Sequence, residues 1–244
     1  MKYILTLLMS SLLFFSCSQT AHIEEDEDAK PSGFLGSYDE LSKGTDDQVN
    51  SRYIAKDIDW KKYKKVNLKA VEVWAGKDSE LKEIDKEDLK SLLTYMHAEM
   101  QIELVKSFQL TDQAGPDVLE IRFAMTDGDS SNVALDTIST VLPIGLALSF
   151  IKKWTLGTHL QVGEAHMEFE VLDSVSRKRL AAGIDARAGT KALKGKFDKW
   201  NDVKESFEFW TQKMRYKLVD LGSGTPTKED KEKMKEEKED AEDK

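Results

Sequence analysis

The chain is 244 residues long, carries 36 Lys and Arg against 45 Asp and Glu, and has a formal net charge of −9 at neutral pH. That sign disfavours nucleic acid and broad adhesion to anionic lipid. The length suffices for one sizeable domain with a real core or for two small ones, and a single cysteine, Cys17, leaves no intrachain disulfide.

The run Ile4 to Phe15 is apolar except for Thr6, Ser10 and Ser11, and it is well short of the roughly 20 residues that a membrane-spanning helix needs. Lys2 supplies a short positive n-region, the run an h-region and Ser16 a small residue before the cysteine, so residues 1–16 read as a secretory signal. Leu13-Phe14-Phe15-Ser16-Cys17 resembles the lipobox of bacterial lipoproteins, although Phe14 stands where Leu is usual. The resemblance implies that the Cys17 thiol receives a diacylglyceryl group, that cleavage follows, and that the new amino terminus is acylated, as with palmitate. An ordinary signal with an incidental cysteine is the alternative. Against it, a free thiol in the oxidising compartment that a signal implies is a liability that lipidation removes. Several chains at ~0.8 kcal/mol per buried methylene hold stably where one is marginal. Ser18, not Asp, follows the cysteine, which by resemblance to enterobacterial lipoproteins lacks the inner-membrane retention signal.

Residues 17–31 contain "EEDED" (Glu24 to Asp28) and end at Pro31, the composition of a solvated acidic tether. "KVNLKAVEVW", Lys65 to Trp74, reads as a strand whose apolar phase slips between Ala70 and Val71, as in a bulged strand or one covered on both faces. A helix follows, with Asp85 as N-cap, Glu87 and Asp88 at the positive end of its dipole, and Leu89, Leu92, Leu93, Met96 and Met100 in one stripe. His97 beside that stripe reads as a packed or edge residue, not a ligand. Phe108 to Asp127 reads as a hairpin with its turn at Ala114 to Asp117.

"ISTVLPIGLALSFI", Ile138 to Ile151, is too short and too interrupted by Pro143 to span a membrane. It reads as a kinked helical connection buried by the sheet; the other reading exposes Leu142, Ile144 and Leu146 for docking a partner or the membrane. His159 to Gly189 reads as a second hairpin turning near Ser174 to Lys178. With Leu172 opposite Arg179, Phe169 would face Ala182, Met167 would face Ile184, and Ala165 would face Ala186. The outer face would then collect Glu164, His166, Glu168, Glu170, Asp185 and Arg187. An amphipathic helix is predicted from Asp198 to Leu221, with Val203, Phe207, Trp210, Met214 and Leu218 inward. Beyond "LGSGTPT", residues 223–244 are almost wholly charged, with Met234 the one large apolar side chain of the final stretch. They read as disordered or as a frayed solvated helix, and deleting Lys228 to Lys244 is expected to leave folding stability nearly unchanged.

These elements predict one α+β domain over residues 32–222: two layers, a mixed and mostly antiparallel sheet, helices on one face. "SGFLGSYDEL" (Ser32 to Leu41), "YIAKDIDWKKYKKV" (Tyr53 to Val66), "VGEAHMEFEVLDS" (Val162 to Ser174) and "DARAG" (Asp185 to Gly189) resemble, in this order, the landmarks of the bacterial lipoprotein family called domain of unknown function 3313. "DSVSRKR" departs from it where the family commonly has a Gly-containing turn. The resemblance implies a lipid-anchored protein of the Gram-negative cell envelope, and it supplies no catalytic residues.

No Walker loop, dinucleotide glycine fingerprint, His-Glu-x-x-His or Gly-x-Ser-x-Gly occurs. The function expected is therefore non-enzymatic: an interaction or accessory module attached to the outer membrane through Cys17, facing the periplasm and meeting an unidentified envelope protein, with the inner membrane and cell surface left open as addresses. No catalytic residue, metal ligand or cofactor is assigned. The alternative is a metal-binding or hydrolytic enzyme using Glu164, His166 and Glu168 with Asp185 and Arg187 opposite. The simpler account of that face is a solvated sheet surface with a Glu164–Arg187 cross-strand pair.

Overall fold

The computed structural model describes residues 20–22, 31–45, 48–75, 81, 84–126, 142–153, 164–189 and 199–242; Cys17, the signal and the Glu24–Asp28 run lie outside them. Among the described residues eight strands form one mixed sheet: β1 (Thr20–His22), β2 (Ser42–Lys43), β3 (Ser51–Ile54), β4 (Lys65–Trp74), β5 (Gln109–Leu110), β6 (Val118–Thr126), β7 (Glu164–Asp173) and β8 (Arg179–Gly189). Their order is β2-β3-β8-β7-β6-β4-β5, and β1 pairs with β8 beyond the end of β3. Pairing is antiparallel except where β4 meets β5 and β6. Helices α1 (Lys86–Leu104) and α3 (Lys199–Asp220) pack together on one face, α2 (Ala147–Lys153) lies against α1, and α4 (Lys228–Glu242) lies against α3. This is the α+β sheet-and-helix architecture expected. Among the described residues no helix is long and apolar enough to cross a membrane.

The local rules that start each element are visible. Asp85 caps α1 by accepting from Glu87 N at 2.8 Å, and Leu89, Leu92, Leu93, Met96 and Met100 are all buried against the sheet. The phase slip in β4 is a bulge: its register against β6 shifts between Leu68 and Val71. At the end of α3, Ser223 N donates to Leu218 O and Gly222 N to Val219 O, with Gly222 at φ 108°. This is a Schellman ending that glycine makes strain-free.

Three expectations are corrected. Phe108 to Asp127 is not a hairpin, because β5 and β6 flank β4 on opposite sides, both parallel to it. A turn-rich segment between two short apolar runs is compatible with either arrangement, and the open edge of β4 captures β5. Residues 17–31 are not wholly a tether, since Thr20–His22 pair with Arg187–Gly189. Of the two readings of the tail, disorder and a frayed solvated helix, the helix is the one found, and its start is pinned, not frayed: α4 follows a capping box in which Asp230 N donates to Thr227 Oγ1 (3.2 Å) and Thr227 N to Asp230 Oδ2 (2.8 Å). The connection to it is fixed as well, with Gly224 N on Tyr63 O and Thr225 N on Ser107 O.

The second hairpin carries the correction with the widest consequence. Leu172 does lie opposite Arg179, but the register shifts at Val171/Leu172, so that Val171 faces Ala181, Phe169 faces Gly183, Met167 faces Asp185 and Ala165 faces Arg187. Leu180 is the extra residue of a β-bulge, and one inserted residue inverts the face of everything beyond it. Asp185 and Arg187 consequently share the helix-covered face with Met167 and Phe169.

Candidate functional site

The polar face read from the sequence is thus two separate constellations on opposite sides of the sheet. On the helix-free side, His166, Glu168 and Glu170 alternate along β7, and the segment Ser32–Leu41 lies over them. Glu168 is fully buried and accepts from Ser32 N (2.5 Å) and the Tyr38 hydroxyl (2.7 Å). Burial and this carboxylate push the Tyr38 phenol up to about 12. Glu170 accepts from Arg122 and Arg179, and Arg179 also donates to the carbonyls of Leu35 and Ser37. Phe34 packs edge-on against Trp74, with the Arg122 guanidinium 4.6 Å from its ring centroid. These buried carboxylates fasten the leading segment to the sheet. His166 is half-buried, at the register of Thr126 and Ala186; for Glu164 only the backbone pairing with Ala188 is described.

On the other side, Asp185 is fully buried beneath α3, where it accepts from Trp210 Nε1 (2.7 Å), Arg187 Nε (2.9 Å) and Asn50 N (3.0 Å). Asn50 Oδ1 in turn accepts from Ala186 N. Arg187 lies 3.5 Å from the Phe209 ring centroid. Burial pulls the guanidinium's pKa below its usual value, opposed by Asp185, and it remains charged. Asp185 therefore joins β8, α3 and the loop before β3. Among the described residues no group of three or more His, Cys, Asp and Glu is arranged to hold a metal ion.

The apolar connection also departs from its first reading as core. Of its described residues Leu142 is half-buried and Ala147 buried, but Ile144, Leu146 and Leu148 are 53%, 51% and 60% exposed. Its backbone is moored to α1: Gln101 Nε2 donates to Leu142 O (2.6 Å), and Leu142 N lies 3.4 Å from His97 Nδ1. His97 is packed inside, where burial lowers its pKa to about 4 and keeps it neutral at pH 7. Leu146→Glu is accordingly expected to change stability by less than ~0.5 kcal/mol in a urea melt; a loss of several kcal/mol would return the segment to the core.

A groove opens on the helix side where α3 does not reach β3. Trp210, Met214 and Leu218 line it along α3 and Leu221 just past the helix end, Ile54 and Ala181 line it along the sheet, and its volume is about 460 Å³. Its floor is low because β8 presents small residues. Phe169 lies over Gly183 so closely that a Cβ there would come within 2.6 Å of the ring. Cations mark the rim, among them Arg52, Lys213, Lys217 and Lys233. Sequence reading missed this groove because its lining comes from elements far apart in the chain, and no local pattern links them.

A family model described as a protein of unknown function (DUF3313) matches residues 30–214, and the chain belongs to that family. The match stops one residue before Arg215, so α4 lies beyond it. No curated protein matches the sequence.

Proposed function

We propose that this DUF3313 member is a lipid-anchored protein of the cell envelope, an interaction or accessory module on the outer membrane that faces the periplasm and performs no catalysis of its own. The observation that carries the reading is Cys17 at the end of a short apolar run, three residues before a strand that joins the sheet at Arg187–Gly189. Three extended residues span at most about 11 Å, which keeps this end of β8 close to the bilayer in place of the standoff a free tether would give. The partner-facing surface is the corner of Ile144, Leu146 and Leu148, apolar side chains left outside a core that had room for Ala147 between them. The interaction reading is favoured over the hydrolytic one because Glu168 and Asp185 are both enclosed and engaged by structural donors.

Cys17→Ser is expected to abolish incorporation of labelled palmitate and to leave the protein soluble or unprocessed in cell fractions. Attachment to membranes that persists unchanged in high salt would sink the anchor. Crosslinking in cells, compared between the native chain and Leu146→Glu, tests the partner surface by loss of a specific adduct.

A further inference from the structure

We infer that the corner formed by residues 143–148 is a membrane-dipping tip, with Ile144, Leu146 and Leu148 set into the surface of a phospholipid bilayer. The inference rests on the reading of that corner as the chain's contact surface and names what it contacts. The tip is a projecting turn. Leu146 N donates to Pro143 O at 3.1 Å, with Gly145 at φ 93°, the type II arrangement that places glycine third. A Cβ on Gly145 would meet nothing within 4 Å, so the turn stands clear of the rest of the chain. Leu148 and Lys152, one helical turn apart, share the outer face of α2, while Ala147 is buried and Phe150 and Ile151 pack against the core.

Three observations favour a bilayer as the occupant. Insertion strands little polar backbone: Phe150 N donates to Leu146 O, Leu142 O accepts from Gln101, and Pro143 has no N–H to satisfy. The segment also brings no carboxylate to a surface that repels one. Residues 137–163 hold neither Asp nor Glu, the longest such stretch in a chain with 45 of them among 244 residues, and Lys152 and Lys153 follow the tip. Lys152 is exposed, so its ammonium can reach the headgroups while its stem lies along the apolar face. The third observation is attachment. Three aliphatic side chains hold a bilayer weakly by themselves, but a lipid on Cys17 keeps them within a domain's width of it, and two weak signals together hold firmly. Thr20 joins the sheet at Gly189 of β8, whereas the corner is moored to His97 and Gln101 of α1. Lipid and tip therefore grip at two separate points and fix which flank of the domain faces the membrane.

The test replaces residues 1–17 with a hexahistidine tag, keeping every described residue, and holds the chain on vesicles of phosphatidylethanolamine and phosphatidylglycerol through a nickel-chelating lipid. Attachment then does not depend on Cys17. The chain is also left without a cysteine, so a polarity-sensitive fluorophore at Ile144→Cys, Leu146→Cys or Leu148→Cys reports one position at a time. Val175→Cys is the control, because Val175 is 63% exposed and lies in the β7–β8 turn, at the opposite end of β8 from Gly189. Blue-shifted emission and quenching of about twofold or more by a lipid-borne quencher are expected at the three tip positions and not at Val175. Adding Leu146→Glu to the Leu148→Cys chain should remove most of that quenching. Circular dichroism checks each variant for folding; should one fail, the other exposed positions carry the test. Tip positions that match Val175, or quenching indifferent to Leu146→Glu, overturn the inference. A tip that stays wet on vesicles while a photocrosslinker at Leu146 captures one specific protein in cells also overturns it and assigns the corner to a protein partner. Failure of the lipid anchor shows separately, in the palmitate labelling at Cys17.

Discussion

Arg215→Ala is expected to lower the stability of the chain by about 3–5 kcal/mol, because removing one member of a buried ion group strands the others. Arg215 is buried and donates to Glu103 Oε1 (2.6 Å), Ser107 Oγ (3.0 Å), and both oxygens of Asp230 (2.6 and 2.9 Å). Glu103 belongs to α1, Ser107 to the turn after it, and Asp230 to α4, so this guanidinium fastens three parts of the chain to α3. Lysine cannot make the same fork, and Arg215→Lys should recover only part of the loss. Burial alone would raise the Asp230 carboxyl, but Arg215 and the Thr227 N–H and hydroxyl outweigh it and hold it down at about 2. With an unfolded value near 3.9, Asp230 contributes about 2 kcal/mol. That contribution is complete above about pH 4 and is lost as the pH falls through 2. Urea melts at pH 7 and pH 3 measure both effects. A small loss at pH 7, or an acid slope unchanged in the variant, would show that the clamp is not holding α4.

The tail illustrates why part of this fold was legible and part was not. Its lack of apolar residues is real, with Met234 the one described apolar α4 side chain packed against the main core, and by the usual rule disorder or a frayed solvated helix follows from it. What overrides the rule is polar: Thr227 and Asp230 in a capping box, Tyr216 on Glu237, and i,i+4 pairs such as Lys228–Glu232 and Lys235–Glu239. The capping box was readable as Thr-x-x-Asp; its distant partner Arg215 was not, because nothing local distinguishes it from other arginines on an amphipathic helix. The α1 cap and stripe, by contrast, depend only on residues within a few turns of one another and were legible in full. Bulges mark the boundary between these cases. In β4 the apolar pattern itself slips and betrays the bulge, whereas in β8 the Leu180-Ala181-Ala182 run is apolar on either phase and hides it. The hidden bulge is what merged two opposite constellations into one apparent polar face.

That inversion sets the last expected result. Asp185→Ala should cost about 3–5 kcal/mol, since it removes the buried carboxylate to which Arg187 Nε, Trp210 Nε1 and Asn50 N all donate. Asp185→Asn keeps the shape and one acceptor oxygen, so it should cost less but still clearly destabilise. Glu164→Gln with His166→Ala is expected to cost only about 1 kcal/mol. By the β7–β8 register His166 lies on the face opposite Asp185, so the effects should add within ~0.5 kcal/mol in the triple variant, as separated sites do. A strong coupling between them would mean that Asp185 and Arg187 meet Glu164 and His166 after all, as the single polar face required, and would restore the metal-binding or hydrolytic reading. Stoichiometric metal in the purified chain, lost on Glu164→Gln/His166→Ala, would do the same by a different route. Additivity with a large Asp185 term instead assigns Asp185 to the seam that holds α3 and the Asn50 loop on the sheet, the same seam whose unfilled stretch beside β3 forms the groove.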